Sequence, residues 1–373
     1  MIFLSLLLLT FLAAASVFDS RSPPFCGNPF PLTSKNLDVF ESLINGSLNA
    51  DQGSADLLNM QSYGGPREWP RNDQNKVVIK YCFETKDARK QVGRPFPLYG
   101  IGEWMRALGG EASSATMHGL VFEETLDANG QPLVCIDPAT KEWNREIDYN
   151  TVRIRWSDDK HFGASATTGF VGFVSGDPPI PGIHMITFGE LYDYPAMVHE
   201  LGHILGMAHE HQRKDRDAWV AYRCHNVKDF YTIFKKFKAG NPDATWSDLC
   251  DNIANALVMD FAGSNFVRQY SAGDPRGREG RTLTWEVADY GEPYDPASIM
   301  HYSSDAFREG GLWCHHDKTD GCTLVINVPG HEKEYIPEIF HPSQKDIQWV
   351  RKTYPWMDPP NRLENTRMNG TVS

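Results

Sequence analysis

The segment HELGHILGMAHEHQR, which begins at His199, constrains this 373-residue chain more than any other stretch. It carries four histidines and two glutamates within fifteen residues. On a helical wheel of about 100° per residue, His203 lies about 40° from His199, so both imidazoles share one face. The opposite face is aliphatic and consists of Val198, Leu201, Ile204 and Leu205. The pattern predicts a helix that buries one face and presents two histidines on the other.

The four-residue spacing of the histidines, with Glu200 directly after the first, is the H-E-x-x-H zinc pattern. Glu200 lies at about 100° on the wheel, between the two faces. Its carboxylate can therefore reach the open side of a metal without being a ligand, which is where a general base is needed.

His209 completes the predicted metal site. It follows His203 by six residues, about 240° round the wheel, so a continuous helix would point it away from the other two histidines. Gly206 can adopt the left-handed conformation that ends a helix and turns the chain back. Three neutral imidazoles leave one position of a tetrahedral zinc open, as in catalytic sites. We therefore expect one catalytic Zn²⁺ on His199, His203 and His209.

A second motif, SIMHY, lies downstream at residues 298–302. Met300 is a candidate for the methionine turn that follows extended histidine motifs of this type. A buried methionine of the core would look the same, and both interpretations are compatible. Tyr302 is the more informative residue, because its phenol could reach the zinc or a developing oxyanion.

Residues 199–217, HELGHILGMAHEHQRKDRD, closely resemble the signature of the astacin family of zinc endopeptidases, a branch of the metzincins. Met207 is the one departure, where the family favours Phe. Further similarities are the stretches WPRNDQNKVVIKYCF, RDAWVAYRCHNV, SIMHY and SQKDIQWVRKTY. The resemblance extends from Glu68 to Tyr354, although the stretch between Val227 and Tyr294 looks longer than in typical members.

The resemblance implies a role for each residue of the site. His199, His203 and His209 would bind zinc, and Glu200 would be the base and later the proton donor. Tyr302 would be a switchable fifth ligand that stabilises the tetrahedral intermediate. Glu210 would be structural and would pair through water with the new N-terminus of the processed enzyme. Three histidines lie outside the pattern and are interpreted as bystanders: His211, His315 and His316.

The fold implied is α+β and of the metzincin type: an N-terminal lobe with a twisted mixed sheet and helices, an active-site helix, and a looser C-terminal lobe. We predict a signal peptide at 1–16, a leader or pro-segment at 17–67, a catalytic domain at 68–355, and a disordered tail at 356–373. Within the catalytic domain the N-lobe would span 68–206 and the C-lobe 207–355. The processing site is expected between Met60 and Asn75.

Local patterns predict the elements of this domain. Strands are expected at VVIKYCF, which follows Lys76, and at Leu120–Phe122, Leu133–Ile136, Thr151–Trp156 and GIHMITFG. Helical patterns are expected up to Leu108, with the helix ending at Gly109, and at Val227–Lys238, Trp246–Val258 and Pro342–Tyr354, the last with Ser343 as N-cap.

The apolar run that begins at Ile2 is too short to span a bilayer, so we expect a secreted, extracellular protein without a membrane segment after signal removal. The net charge of −12 argues against nucleic acid as a partner. Protein or peptide substrates and a monomeric state are expected. The sequons at Asn45 and Asn369 could carry glycans.

Seven cysteines leave one thiol over. Without Cys26, six remain for three disulfides, and Cys314–Cys322 is a candidate local pair. Cys26-Gly-Asn-Pro resembles the cysteine switch of the matrixins, in which a leader thiolate occupies the open zinc position. The alternatives are a disulfide for Cys26, a plain leader, or a latency role for Asp51 or Asp56.

The function that these observations favour is a secreted zinc endopeptidase. The alternative is a catalytically silent, zinc-containing binding module, in which the metal stabilises the fold while another surface recognises a partner.

Overall fold

In the computed structural model, the described residues are 68–159, 164–166, 173, 181–182, 184–273, 282–287, 293–328 and 333–359. The predicted signal peptide, the leader and most of the tail lie outside these ranges, as do Cys26, Asn45 and Asn369. Within the described ranges, no helix combines the length and apolarity that a membrane crossing requires.

A five-stranded mixed sheet forms the N-terminal half, in the order β2-β1-β3-β5-β4. The strands are β1 (Val77–Phe83), β2 (Leu120–Glu124), β3 (Val152–Trp156), β4 (Ala164–Ala166) and β5 (Met185–Phe188). All neighbours pair in parallel except β4, which runs antiparallel to β5 at one edge. The β-branched and aromatic residues of β1 are mostly buried, as expected for a central strand. The strand predicted at Leu133–Ile136 is wrong, since this stretch forms only isolated bridges at Val134 and Ile136.

Three helices pack beside this sheet. They are α1 (Lys86–Val92), α2 (Gly102–Leu108) and α3 (Tyr194–Leu205), and one turn of π-helix at Phe96–Ile101 leads into α2. Helix α2 ends at Gly109, whose φ of 94° is left-handed, as the glycine pair in the sequence predicted. Helix α3 carries the histidine motif and contacts the π-helical turn.

The C-terminal half is built from short elements. The helices are α4 (Phe230–Gly240), α5 (Trp246–Cys250), α6 (Ile253–Val258) and α7 (Gln344–Thr353). The strands are β6 (Val220–Tyr222), β7 (Gln269–Gly273), β8 (Thr282–Glu286) and β9 (Leu324–Ile326), paired as β6–β9 and β7–β8. The amphipathic stretch at Trp246–Val258 is two helices instead of one, because the Asn252 side chain accepts from Asn255 N and starts a new helix. Ser343 caps α7 as predicted.

Two large hydrophobic cores lie in the described part of the chain, beside a small cluster of Cys82, Cys135 and Ile147. The first joins the sheet to α3 and α7 and includes Trp104, Phe188 and Val350, while the second lies around Phe230 and Phe261 in the C-terminal half. Three disulfides connect Cys82 with Cys135, Cys224 with Cys250, and Cys314 with Cys322. The predicted local pair Cys314–Cys322 is therefore confirmed, as is the α+β class with its mixed sheet.

Candidate active site

Helix α3 has a defined start and a sharp end. The Asp193 carboxylate accepts from Ala196 N at 2.9 Å and caps the first turn. At the other end Gly206 has a φ of 115°, Gly206 N donates to His203 O, and Met207 N donates to Gly202 O. This pair of bonds is a Schellman motif, which a left-handed glycine allows at little cost. The chain therefore turns back just after the second histidine.

The turn brings His209 to the other two histidines. Its Nε2 lies 3.2 Å from His199 Nε2 and 3.3 Å from His203 Nε2. Two nitrogens bound to one tetrahedral zinc at roughly 2.0–2.1 Å lie about 3.4 Å apart. All three rings are buried, and the separations fit a single zinc ion.

The outer nitrogens of the three rings fix their tautomers. His199 Nδ1 donates to Ile299 O at 2.7 Å, and His203 Nδ1 donates to Met207 O at 2.8 Å. His209 Nδ1 faces Gln212 Oε1 at 2.7 Å. Because each Nδ1 carries the hydrogen, three Nε2 lone pairs point at one another. Such a cluster is repulsive unless a cation lies between the lone pairs, so the donor set suits a metal.

Burial also keeps these imidazoles neutral. Loss of solvation lowers the pKa of His199 to about 4, with the bond to Ile299 O opposing the shift. The pKa values of His203 and His209 are also lowered well below the ordinary value, by burial first and then by neighbouring histidines. A neutral imidazole is the form that binds a metal, so the ligands need lose no proton at neutral pH.

Glu200 lies one residue after His199 in α3 and is only 1% exposed. Its carboxylate is thus carried by the same rigid helix as two of the ligands. The role of Glu200 as a general base stays a prediction.

The segment Ser298–Tyr302 packs under the helix. Met300 is buried against Gly202, and Met300 O accepts from Glu210 N at 3.1 Å. A carboxylate from α7 holds this turn: Asp346 accepts from Ser298 Oγ at 2.7 Å and from Ile299 N at 2.8 Å. Burial raises the pKa of Asp346 to about 6, although these bonds oppose the shift.

The half-buried Tyr302 ring covers the histidine cluster from one side. Its centroid lies 4.7 Å from that of His209 and 6.1 Å from that of His199. His211 stacks on Tyr302 at 4.1 Å, and its Nδ1 accepts from Tyr302 N at 3.3 Å. His211 is fully buried beside Tyr302, and its interpretation as a bystander in the zinc chemistry stays a prediction.

Glu210 belongs to a buried charged group next to the site. Its Oε1 accepts from Arg213 Nη1 and from Asp295 N, both at 2.8 Å. Burial raises the pKa of Glu210 to about 7, and Arg213 counteracts this. These partners anchor the turn after His209. The pairing of Glu210 with a processed N-terminus stays a prediction.

His315, His316 and Asp317 form a second group of close polar side chains. These side chains are 60–74% exposed within the Cys314–Cys322 loop, and an ion pair between His315 Nδ1 and Asp317 Oδ1 accounts for the proximity of these two. The buried trio in α3 and the turn after it is therefore the stronger candidate for a functional metal centre.

Two residues that support the site did not emerge from the sequence: Gln212 and Asp346. Gln212 follows His209 by three residues, a spacing that places side chains together in a helical turn. Asp346 is visible as the fourth residue of the capping box S-x-x-D that starts at Ser343. Its second role, at the methionine turn, depends on a contact 47 residues away in the chain.

Comparison with known proteins gives a family match and several partial relatives. The family model for astacin, described as a peptidase family, matches residues 186–271, the stretch that includes α3 and its turn. Zinc metalloproteinase nas-39 of Caenorhabditis elegans is 30% identical over 133 residues, which is 35% of this chain and 10% of that protein. Seminal metalloprotease 1 of Drosophila melanogaster is 25% identical over 159 residues, 43% of this chain and 42% of that protein.

Among solved structures, high choriolytic enzyme 1, a hatching enzyme zinc-protease from Oryzias latipes, aligns with a TM-score of 0.40 and 17% identity. The alignment covers 76% of this chain and 92% of that one. The chain itself spans less than half the length of the two curated relatives named above. Residues 186–271, which carry the histidine cluster, therefore match the model of the astacin peptidase family.

Proposed function

We propose that this protein is a secreted zinc-dependent endopeptidase that hydrolyses peptide bonds in proteins or peptides. The observation that carries the proposal is that the buried His209 Nε2 lies 3.2 Å from His199 Nε2 and 3.3 Å from His203 Nε2. Glu200 is on the same helix as His199 and His203. The family match of residues 186–271 supports it, and so do relatives whose names describe metalloproteinases.

His199, His203 and His209 would hold the ion. A zinc ion bound there supplies Lewis acidity, which polarises a carbonyl and lowers the pKa of a water molecule to about 7. Glu200 takes a proton from the attacking water and passes it to the leaving nitrogen as the C–N bond breaks. The Tyr302 phenol donates a hydrogen bond to the oxyanion that develops on the carbonyl oxygen.

Secretion and processing are part of the same proposal. The three disulfides suit a chain that folds in an oxidising compartment. Among the described residues every cysteine is paired, which is consistent with a separate role for Cys26, such as the latency ligand considered from the sequence. A Cys26→Ser precursor should then cleave substrate before processing, and a precursor that stays latent would exclude this role.

The experiment that tests the proposal uses the processed protein, zinc and casein, with and without a chelator. We expect the chelator to abolish cleavage, and Glu200→Gln to lower it by about 10²–10⁴-fold, while zinc stays bound. The matched control is Glu123→Gln, an exposed residue on β2, which should cleave normally. Cleavage that survives both the chelator and Glu200→Gln would exclude this mechanism. Bound zinc without cleavage at any pH would favour the silent binding module.

A further inference from the structure

The three histidines of the metal cluster are held by unlike partners. His199 and His203 each donate Nδ1–H to a backbone carbonyl, Ile299 O and Met207 O. A carbonyl can only accept, so each of these rings has one possible tautomer. The partner of His209 is the side chain of Gln212, at 2.7 Å from Nδ1. An amide offers both a donor and an acceptor, so by itself it would leave the tautomer of His209 undetermined.

A second contact removes that freedom. Gln212 Nε2 donates to Val267 O at 3.1 Å. Because the carbonyl accepts only, the amide nitrogen must face Val267 and the amide oxygen must face His209. His209 Nδ1 then carries the hydrogen, and its Nε2 presents a lone pair to the other two imidazoles. The carbonyl of Val267 thus determines, through the orientation of the Gln212 amide, which nitrogen of His209 carries the hydrogen.

Val267 is the last of three consecutive residues whose carbonyl oxygens accept hydrogen bonds from side chains on this side of the site. Asn265 O accepts from His211, Phe266 O from Arg216, and Val267 O from Gln212. Gln212 is 5% exposed and Val267 is 3% exposed, so water does not compete freely for these bonds. The acceptor of the Gln212 amide therefore belongs to a stretch of backbone that several buried side chains hold in place.

We propose that Gln212 is a positioning residue that fixes the tautomer and orientation of His209 and thereby sets the affinity of the site for zinc. The inference rests on the zinc site of the proposed function but not on its catalysis. Loss of an equivalent outer partner of a metal-binding histidine weakens metal affinity by about 10–100-fold.

The test compares zinc affinity among variants of the full chain, by chelator competition with Zn²⁺ alone. We expect Gln212→Met, which has a similar volume but neither amide group, to bind zinc about 10–100-fold more weakly. Gln212→Glu should recover most of this loss, because a carboxyl oxygen at this position still accepts the hydrogen of His209 Nδ1. Gln348→Met, at an exposed glutamine of α7, is the matched control and should bind zinc normally.

A second readout separates positioning from a purely structural role. The melting temperature is measured for each variant in chelator and in excess zinc, and the zinc-induced increase is compared. The proposal predicts a smaller increase for Gln212→Met than for the unmodified chain, with recovery in Gln212→Glu. If Gln212→Met melts earlier in chelator but keeps the full zinc affinity and the full increase, the proposal is wrong. Since metal binding is the readout, absence of peptide cleavage would contradict only the proposed function.

Discussion

The Cα of Gly202 faces the sulfur of Met300 so closely that a Cβ at Gly202 would overlap Met300 Sδ. A glycine between the two histidines of α3 therefore lets the methionine turn pack directly against the helix backbone. The same position lies near Trp104, so the space is closed on two sides.

Gly202→Ala should destabilise the protein by about 1–3 kcal/mol, because the added methyl group overpacks a filled core. The matched control is Gly240→Ala, at the end of α4, where a Cβ would meet nothing within 4 Å. Urea denaturation of both variants checks the prediction. Equal stability of the two would mean that Met300 moves away at no cost.

Tyr302→Phe should lower kcat by about 100-fold, the scale of losing one oxyanion donor, with little change in KM. The phenylalanine ring keeps the stacking on His211 at 4.1 Å, so the change is confined to the hydroxyl group. Steady-state kinetics on a casein-derived peptide measure the effect, with the exposed Tyr149→Phe as control. An unchanged kcat would exclude the proposed role of the phenol.

Removal of zinc should lower the melting temperature, because the three lone pairs then face one another without a cation. At a zinc concentration of roughly 1,000 times Kd, the bound ion stabilises the fold by about 4 kcal/mol. His203→Ala should abolish the zinc-dependent shift, whereas His316→Ala, at the exposed cluster, should preserve it. A shift in melting temperature that depends on His316 and not on His203 would mean that the ion binds at the exposed cluster of His315, His316 and Asp317.

Asp346 predicts a pH dependence of stability. Its pKa is about 6 in the folded protein against an ordinary value of 3.8, so the folded state holds the proton more tightly than the unfolded chain. The resulting stabilisation is complete below pH ~4 and is lost as the pH rises through ~6, a change of about 3 kcal/mol. The Asp346→Asn variant has no titratable group at this position, so its stability lacks this contribution to the pH dependence.

The measurement is the free energy of unfolding of both proteins between pH 4 and pH 8. The advantage of the unmodified protein over Asp346→Asn should shrink across this window and be constant above it. An advantage that grows with pH would show that the bonds from Ser298 and Ile299 favour the carboxylate by more than burial disfavours it.

Much of the local structure could be predicted because it depends on neighbouring residues. The β-branched and aromatic residues of VVIKYCF, the capping residue Ser343 and the glycines at 109 and 206 each act within a few residues. The same is true of the histidine cluster, whose members lie within eleven residues of one another. Helical periodicity and one left-handed glycine are enough to bring them together.

The supporting contacts could not be predicted, because they join segments that are distant in the chain. Gln212 meets Val267 across 55 residues, and Asp346 meets Ser298 across 48. No local pattern marks Val267 O as an acceptor, since every residue has a carbonyl. The strand predicted at Leu133–Ile136 is wrong for a related reason, since only isolated bridges form there. The β-propensity of a stretch does not determine whether a partner strand lies beside it.

The hold of Asp346 on Ser298 and Ile299 also has a consequence for biosynthesis. A polypeptide leaves the ribosome with its N-terminus first, so the three histidines emerge well before the helix Gln344–Thr353 that carries this carboxylate. Until that helix has been translated and packed, the floor beneath the histidines lacks its anchor. The histidine cluster therefore gains its complete set of supporting contacts only after the helix Gln344–Thr353 has been made.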